Sequence, residues 1–257
     1  MAAEATEAKF QPVRTGRTLQ NLFGMVPSAP SPFKRTEIAG GVNLYSAERG
    51  AQNLVVGFGG SLGRLNMAVF MILEALDSAR YDLLLLADLK KLHFDNGIEN
   101  YADSMPGLMS KVGKLARQRG YGSIITYGTS MGGFPALRGG DMLGAGRAIS
   151  IGGRFVWHPA RIRRRGESIG AFDPICSCRV PFRVPCYLLF TGGKKLDVDH
   201  AAMLADIMPE VHRIVLPGND HNFPEQIRSK GKLGSFFAQL FDLGKEPDEA
   251  RLGALLE

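Results

Sequence analysis

The feature that most constrains this 257-residue chain is a strand that becomes a helix within two or three residues. The β-branched and aromatic run Ile124–Tyr127 is typical of a buried parallel strand. Gly128-Thr-Ser-Met-Gly132 follows it, and a helix-like segment begins directly afterwards. Such a turn strains its apex residue, Ser130, while the two glycines leave room for neighbouring backbone. We predict that the Ser130 hydroxyl stands at the carboxyl end of a sheet, where open α/β sheets bind ligands. The alternative is a serine that only caps the helix.

Strand-like and helix-like segments alternate along most of the chain. Further apolar runs with the length of strands occur at 53–58, 81–87, 148–151, 187–190 and 213–216. Segments with helical character lie between or after them, near 65–79, 102–119, 198–208 and 223–243, and a candidate β-hairpin surrounds Gly40-Gly41. This alternation predicts an α/β fold with a mostly parallel sheet covered by helices on both faces.

The domain organisation follows from the prolines and from one irregular connection. Four prolines predict that residues 1–35 are an N-terminal extension, and they occupy positions 12, 27, 30 and 32. Residues 36–245 are expected to form the α/β domain, and 246–257 a C-terminal tail. Within the domain, the Arg-rich segment 153–185 is too long for a simple crossover, so we expect a short cap over the site or a surface insertion.

Composition argues against several classes of protein. The longest apolar run, Met67–Leu73, is far shorter than the roughly 18 residues that cross a bilayer. No secretory signal is visible, so a cytoplasmic location is the expectation. Cys176, Cys178 and Cys186 are an odd number close together and predict reduced thiols rather than disulfides or a zinc site. The net charge of +6 comes with no nucleic-acid motif, so we expect no nucleic-acid partner and no membrane span.

A functional Ser130 would need an imidazole as base and a carboxylate to orient that imidazole. His221 follows the last predicted strand, where a loop at the carboxyl end of the sheet would carry it to the turn. Asp197 follows the strand 187–190 and is the preferred acid. Asp199 stays open as the alternative, although it is also placed to cap a helix that begins there.

The oxyanion of a tetrahedral intermediate needs two N–H donors. The Met131 amide, at the start of the helix after the turn, is the expected first donor, because a helix N-terminus favours negative charge. The second is expected from the Gly-rich loop after the strand 53–58, at Gly60, with Phe58 and Ser61 as alternatives. That loop lacks the pattern of a P-loop or a dinucleotide site, so no nucleotide is expected.

Five residues are predicted to contact the substrate. Phe58 and Ser61 belong to the Gly-rich loop, and His93 lies in the loop after the strand 81–87. Arg163 and Arg164 lie in the Arg-rich segment and predict a substrate with an anionic part, such as a phosphate, a carboxylate or an acidic sugar.

In these features the chain resembles the α/β-hydrolase family over roughly residues 53–243. The resemblance rests on Phe58-Gly-Gly-Ser61, Gly128-Thr-Ser-Met-Gly-Gly133, Asp197 and Gly218-Asn-Asp-His221, with the order serine, acid, histidine. The His-Gly pair usual before the oxyanion residue is absent, since Val56-Gly-Phe-Gly59 stands there. The second oxyanion donor therefore stays open.

The resemblance implies that Ser130 is the nucleophile, Asp197 the acid and His221 the base, with oxyanion amides near Gly60 and Met131. We therefore expect a serine hydrolase that cleaves a carboxylic ester of a small molecule or glycan, with no metal or organic cofactor. An acyltransferase or a thioesterase would use the same triad, and a binding protein would keep the fold without activity. The sequence does not define the oligomeric state.

Overall fold

The computed structural model describes residues 31–48, 50–154 and 182–257. These residues form an eight-stranded sheet with the order β1-β2-β4-β3-β5-β6-β7-β8. The strands are β1 (Phe33–Ala39), β2 (Val42–Ala47), β3 (Asn53–Phe58), β4 (Tyr81–Leu86), β5 (Ser123–Thr129), β6 (Arg147–Ile151), β7 (Cys186–Thr191) and β8 (His212–Leu216). β2 is antiparallel to both β1 and β4, and the other neighbouring strands are parallel. The predicted α/β fold with a mostly parallel sheet is confirmed.

Helices cover both faces of this sheet. They are α1 (Val69–Ala75), α2 (Met105–Gln118), α3 (Gly133–Leu143), α4 (Lys195–Ile207), α5 (Phe223–Ser229), α6 (Leu233–Phe241) and α7 (Glu249–Gly253). One core cluster joins the sheet to α1, α5 and α6, and two others join the opposite face to α2, α3 and α4. Successive residues of a strand point to opposite faces, so Val55 lies in the first cluster and Val56 in the second.

Two predicted helices are shorter than their apolar patterns suggest. The helix predicted over 65–79 is restricted to α1, because Asn66 has a φ of 65°, which a right-handed helix excludes. The pattern over 223–243 divides into α5 and α6, and Gly231 lies in the connection with a φ of 72°. Hydrophobic periodicity continues through both breaks, since buried side chains in a loop satisfy it as well as those in a helix.

The ends of the compact unit, Ser31 to Glu257, differ from the predicted boundaries. β1 begins at Phe33, so the last residues of the predicted extension belong to the sheet. The segment 246–257 is not a tail, because Leu252 of α7 is fully buried in the core. The Glu249 carboxylate also accepts the N–H of Val215 on the outermost strand β8, at 2.9 Å.

The carboxyl ends of the parallel strands define one edge of the sheet. The strands β3, β5, β6, β7 and β8 end at this edge, at Phe58, Thr129, Ile151, Thr191 and Leu216. The loops after these strands contain most of the residues that the sequence singled out. Among the described helices, none is long and apolar enough to span a membrane.

Candidate active site

The turn after β5 holds Ser130 in a conformation that side chains rarely adopt. Its φ is 52°, and a 3-10 turn over Ser130–Gly132 leads directly into α3. A Cβ atom at Gly128 would lie 2.1 Å from the Gly132 carbonyl oxygen, and one at Gly132 would lie 2.1 Å from the Phe58 carbonyl oxygen. Both positions therefore require glycine, for the steric reason that the spacing suggested.

Asp197 and His221 form a hydrogen-bonded pair at the same edge. His221 Nδ1 lies 2.7 Å from Asp197 Oδ2, and the Asp197 side chain is 1% exposed. With the carboxylate ionised, Nδ1–H donates, which leaves Nε2 as an acceptor. Nε2 is buried and has no hydrogen-bond partner in the structure as described. The imidazole is thus oriented by a carboxylate and has a lone pair available.

The chain that leaves β6 connects this pair to the Ser130 turn. Gly152, with a φ of 52°, passes so close to His221 that a Cβ atom there would lie 2.8 Å from the imidazole Nδ1 and Cε1. Two residues later, the Arg154 N–H donates to the Ser130 carbonyl oxygen at 2.7 Å. Ser130 and His221 therefore contact the same three-residue stretch of backbone.

The choice between the two candidate acids depends on where α4 begins. The helix begins at Lys195, so Asp197 lies in its first turn, where the helix dipole favours a negative charge. Asp199 does not cap the helix, because it lies within it, and its carboxylate pairs with exposed Lys195 at 3.2 Å. Asp197 is thus the carboxylate that reaches His221.

The sequence did not indicate that Arg154 contacts Asp197. Its Nη2 lies 3.3 Å from Asp197 Oδ1, although without the geometry of a hydrogen bond. From sequence, Arg154 was only one of many arginines in and near the Arg-rich segment. No motif links it to an aspartate that follows the next strand.

The loop after β3 corrects the expected oxyanion donor. The Gly60 amide donates to the Arg64 carbonyl oxygen at 2.8 Å and is therefore not available to a substrate. The Ser61 amide, in the same loop, donates to no acceptor among the described residues. The loop lies beside the nucleophile position, since a Cβ atom at Gly60 would be 3.5 Å from Ser130 Cβ. The Met131 amide lies in the turn before α3, where the first N–H groups lack intrahelical acceptors.

The other residues that were predicted to contact the substrate have three different outcomes. The Phe58 ring is fully buried and packs edge-on against Phe94 with centroids 5.2 Å apart, so it belongs to the core and not to a substrate pocket. His93 lies in the loop after β4 and is buried, and its predicted role stays a prediction. Arg163 and Arg164 lie outside the described residues, as does most of the Arg-rich segment. Within the described ranges, no cluster of three or more His, Cys, Asp or Glu side chains is arranged to hold a metal ion.

Solved structures with a similar fold include several enzymes. A dienelactone hydrolase from Anabaena variabilis is 17% identical, with a TM-score of 0.51 over 82% of this chain and 97% of that chain. A hormone-sensitive lipase from a metagenome library is 10% identical, with a TM-score of 0.55 over 97% of this chain and 93% of that chain. MenH from S. aureus is 12% identical, with a TM-score of 0.53 over 79% of this chain and 100% of that chain. No protein-family model and no curated protein matches the chain. Identities of this size bear on the fold alone.

Proposed function

We propose that this chain, which has the α/β-hydrolase fold, is a serine hydrolase that cleaves a carboxylic ester through an acyl-enzyme. The observation that carries the proposal is the Asp197–His221 hydrogen bond at the sheet edge where Ser130 stands, together with His221 Nε2, which has no hydrogen-bond partner among the described residues. A serine hydroxyl is a weak nucleophile at neutral pH, and an oriented imidazole is the usual group that activates it.

The acylation step assigns one role to each group. His221 Nε2 takes the proton of Ser130 Oγ while the oxygen attacks the acyl carbon, and Asp197 stabilises the imidazolium that forms. The amides of Met131 and Ser61 hold the oxyanion of the tetrahedral intermediate. Nε2–H then protonates the leaving alcohol, and the acyl group remains on Ser130.

The deacylation step repeats these roles with water as the nucleophile. Water, activated by His221, attacks the acyl-enzyme, and Ser130 leaves with the proton. Transfer of the acyl group to another alcohol would use the same residues with that alcohol in place of water. An anionic group on the substrate remains the expectation from Arg163 and Arg164.

Labelling of the full chain with a fluorophosphonate, followed by intact mass, tests this proposal. We expect one adduct on the wild-type protein and none on Ser130→Ala or His221→Ala, because loss of either residue of a working triad costs about 10⁶-fold in kcat. Asp197→Asn should slow labelling by about 10⁴-fold, because it favours the wrong imidazole tautomer.

Three matched controls should keep the wild-type rate. Ser110→Ala changes an exposed serine on α2, His212→Ala an exposed histidine on β8, and Asp199→Asn the carboxylate beside the proposed acid. A folded wild-type protein that forms no adduct would contradict the proposal. Equal labelling of Asp197→Asn and Asp199→Asn would contradict the assignment of the acid.

A further inference from the structure

The buried carboxylate of Asp197 is held through two different oxygens. Oδ2 is bonded to His221 Nδ1, whereas Oδ1 is buried and accepts no hydrogen bond from any described residue. Oδ1 forms an ion pair with the Arg154 guanidinium, whose Nη2 lies at 3.3 Å. The two side chains are 16% and 1% exposed for Arg154 and Asp197. The contact is therefore largely removed from solvent.

A buried carboxylate requires a compensating charge, because burial disfavours an isolated ion strongly. A neutral imidazole supplies a hydrogen bond to Asp197 but no charge, and the first turn of α4 supplies only part of one. Lys195 does not fill this role, since its side chain is 88% exposed and pairs with Asp199. Among the described residues, Arg154 therefore provides the full positive charge within ion-pair distance of Asp197.

Arg154 also contacts the Ser130 turn through its backbone. Its N–H donates to the Ser130 carbonyl oxygen at 2.7 Å, while its side chain reaches Asp197. One residue thus joins the turn after β5 to the first turn of α4. Because any residue other than proline keeps the backbone bond, a substitution of Arg154 tests the guanidinium alone.

We propose that Arg154 is a positioning residue whose guanidinium holds the Asp197 carboxylate turned toward His221. The proposal rests on the proposed function, because it assigns Arg154 a role in orienting the base. Without the guanidinium, the carboxylate is held through Oδ2 alone and is free to rotate about its Cβ–Cγ bond. That rotation misdirects His221 Nε2. The contact of the Arg154 guanidinium with the buried Asp197 carboxylate argues against a first role in binding an anionic substrate.

The test compares the rate of fluorophosphonate labelling at Ser130 in five full-length proteins and one control. These are the wild type, Arg154→Gln, Arg154→Lys, Asp197→Asn and the double variant Arg154→Gln/Asp197→Asn. The control is Arg138→Gln, which removes a similarly buried arginine that pairs with Asp95 at 2.9 Å. Thermal melting of each protein shows that it is folded.

We expect Arg154→Gln to slow labelling by about 100-fold, the effect typical of a misplaced catalytic group. Arg154→Lys should recover about tenfold of that loss, since it restores the charge but not the planar fork. In the Asp197→Asn background, Arg154→Gln should change the rate by no more than about threefold, because the two residues act as one unit. Arg138→Gln should keep the wild-type rate.

Chemical rescue supplies a readout that a merely structural arginine would not move. Free guanidinium ion at a sub-denaturing concentration should restore part of the labelling rate of Arg154→Ala, whereas sodium chloride at equal ionic strength should not. The Arg154→Ala/Asp197→Asn protein should show no rescue, since the added cation has no carboxylate to position.

The outcomes separate the two proposals. Wild-type protein without an adduct would overturn both. Labelling of wild type and of folded Arg154→Gln at equal rates would overturn the role of Arg154 and leave the proposed function in place. Losses that multiply in the double variant would also overturn it, because Arg154 would then act independently of Asp197. If Arg154→Gln does not fold, a wild-type rate for the Arg154→Ala protein without added guanidinium, or no recovery with it, would overturn the role.

Discussion

Replacing Gly132 with alanine should disable the Ser130 turn while leaving the rest of the fold in place. A Cβ atom at this position would lie 2.1 Å from the Phe58 carbonyl oxygen, whereas real Cβ contacts are essentially never below 3.0 Å. The turn and the end of β3 must therefore separate by at least 3.0 − 2.1 = 0.9 Å. Both neighbouring contacts, to the Phe58 carbonyl carbon and the Gly59 oxygen, are also with backbone, so no flexible side chain can absorb the shift.

A displacement of this size has two measurable consequences. Overpacking in a close-packed interior typically destabilises a protein by about 1–3 kcal/mol, which corresponds to roughly 2–12 °C in Tm for a domain of this length. A catalytic group misplaced by about 1 Å typically loses about 100-fold in rate. We expect both losses in Gly132→Ala, read by thermal melting and by fluorophosphonate labelling.

The matched control is Gly40→Ala in the β1–β2 turn. A Cβ atom at Gly40 meets nothing within 4 Å, so this variant should keep the wild-type labelling rate and lie within about 0.5 kcal/mol of the wild-type stability. Gly132→Ala with a wild-type labelling rate would refute the reasoning, since the strand end would then have moved without disturbing Ser130.

Three further predictions concern other parts of the molecule. Arg147→Met should lower the free energy of unfolding by about 2–5 kcal/mol in a denaturant titration, because the carbonyls of Leu240, Asp242 and Lys245 lose their donor and a buried acceptor left unsatisfied costs about 1–3 kcal/mol; a loss below about 1 kcal/mol would contradict it. Burial raises the pKa of the Cys186 thiol to about 12, so the thiol stays protonated from pH 7 to 9. In a variant whose other two cysteines are replaced by serine, iodoacetamide should therefore modify Cys186 only after unfolding. Neutralising Arg163, Arg164 and Arg165 should raise KM for anionic esters but not for neutral ones, and an equal effect on both would count against an anionic substrate.

The sequence predicts best where a local cause is sufficient. The bounds of β3 match the predicted strand 53–58, because its residues are buried on both faces and a glycine-rich loop ends it. The need for glycine at 128 also follows from the motif, since the turn itself creates the crowding there, against the Gly132 carbonyl. In both places the residues that set the structure are neighbours in the chain.

The parts that the sequence did not predict depend on contacts between distant segments or on hydrogen bonds within a loop. The Gly60 amide is used by the Arg64 carbonyl oxygen, and no composition rule indicates which amide of a Gly-rich loop stays free. Asp199 lies inside a helix and not at its cap, because that helix begins at Lys195, three residues before the predicted start. The Arg154–Asp197 ion pair joins the segments after β6 and β7, which only the folded sheet brings together.

The hydrogen bond between the Val215 N–H and the Glu249 carboxylate bears on self-association of this protein. The described sheet ends at β8, and the exposed edge of such a strand is a template onto which another chain can add a strand. The Glu249 carboxylate occupies the Val215 N–H and places a negative charge along that edge, so an incoming strand would have to displace it. Residues 246–257 thus cover part of the exposed edge of β8. Removing them would expose a site for intermolecular strand pairing.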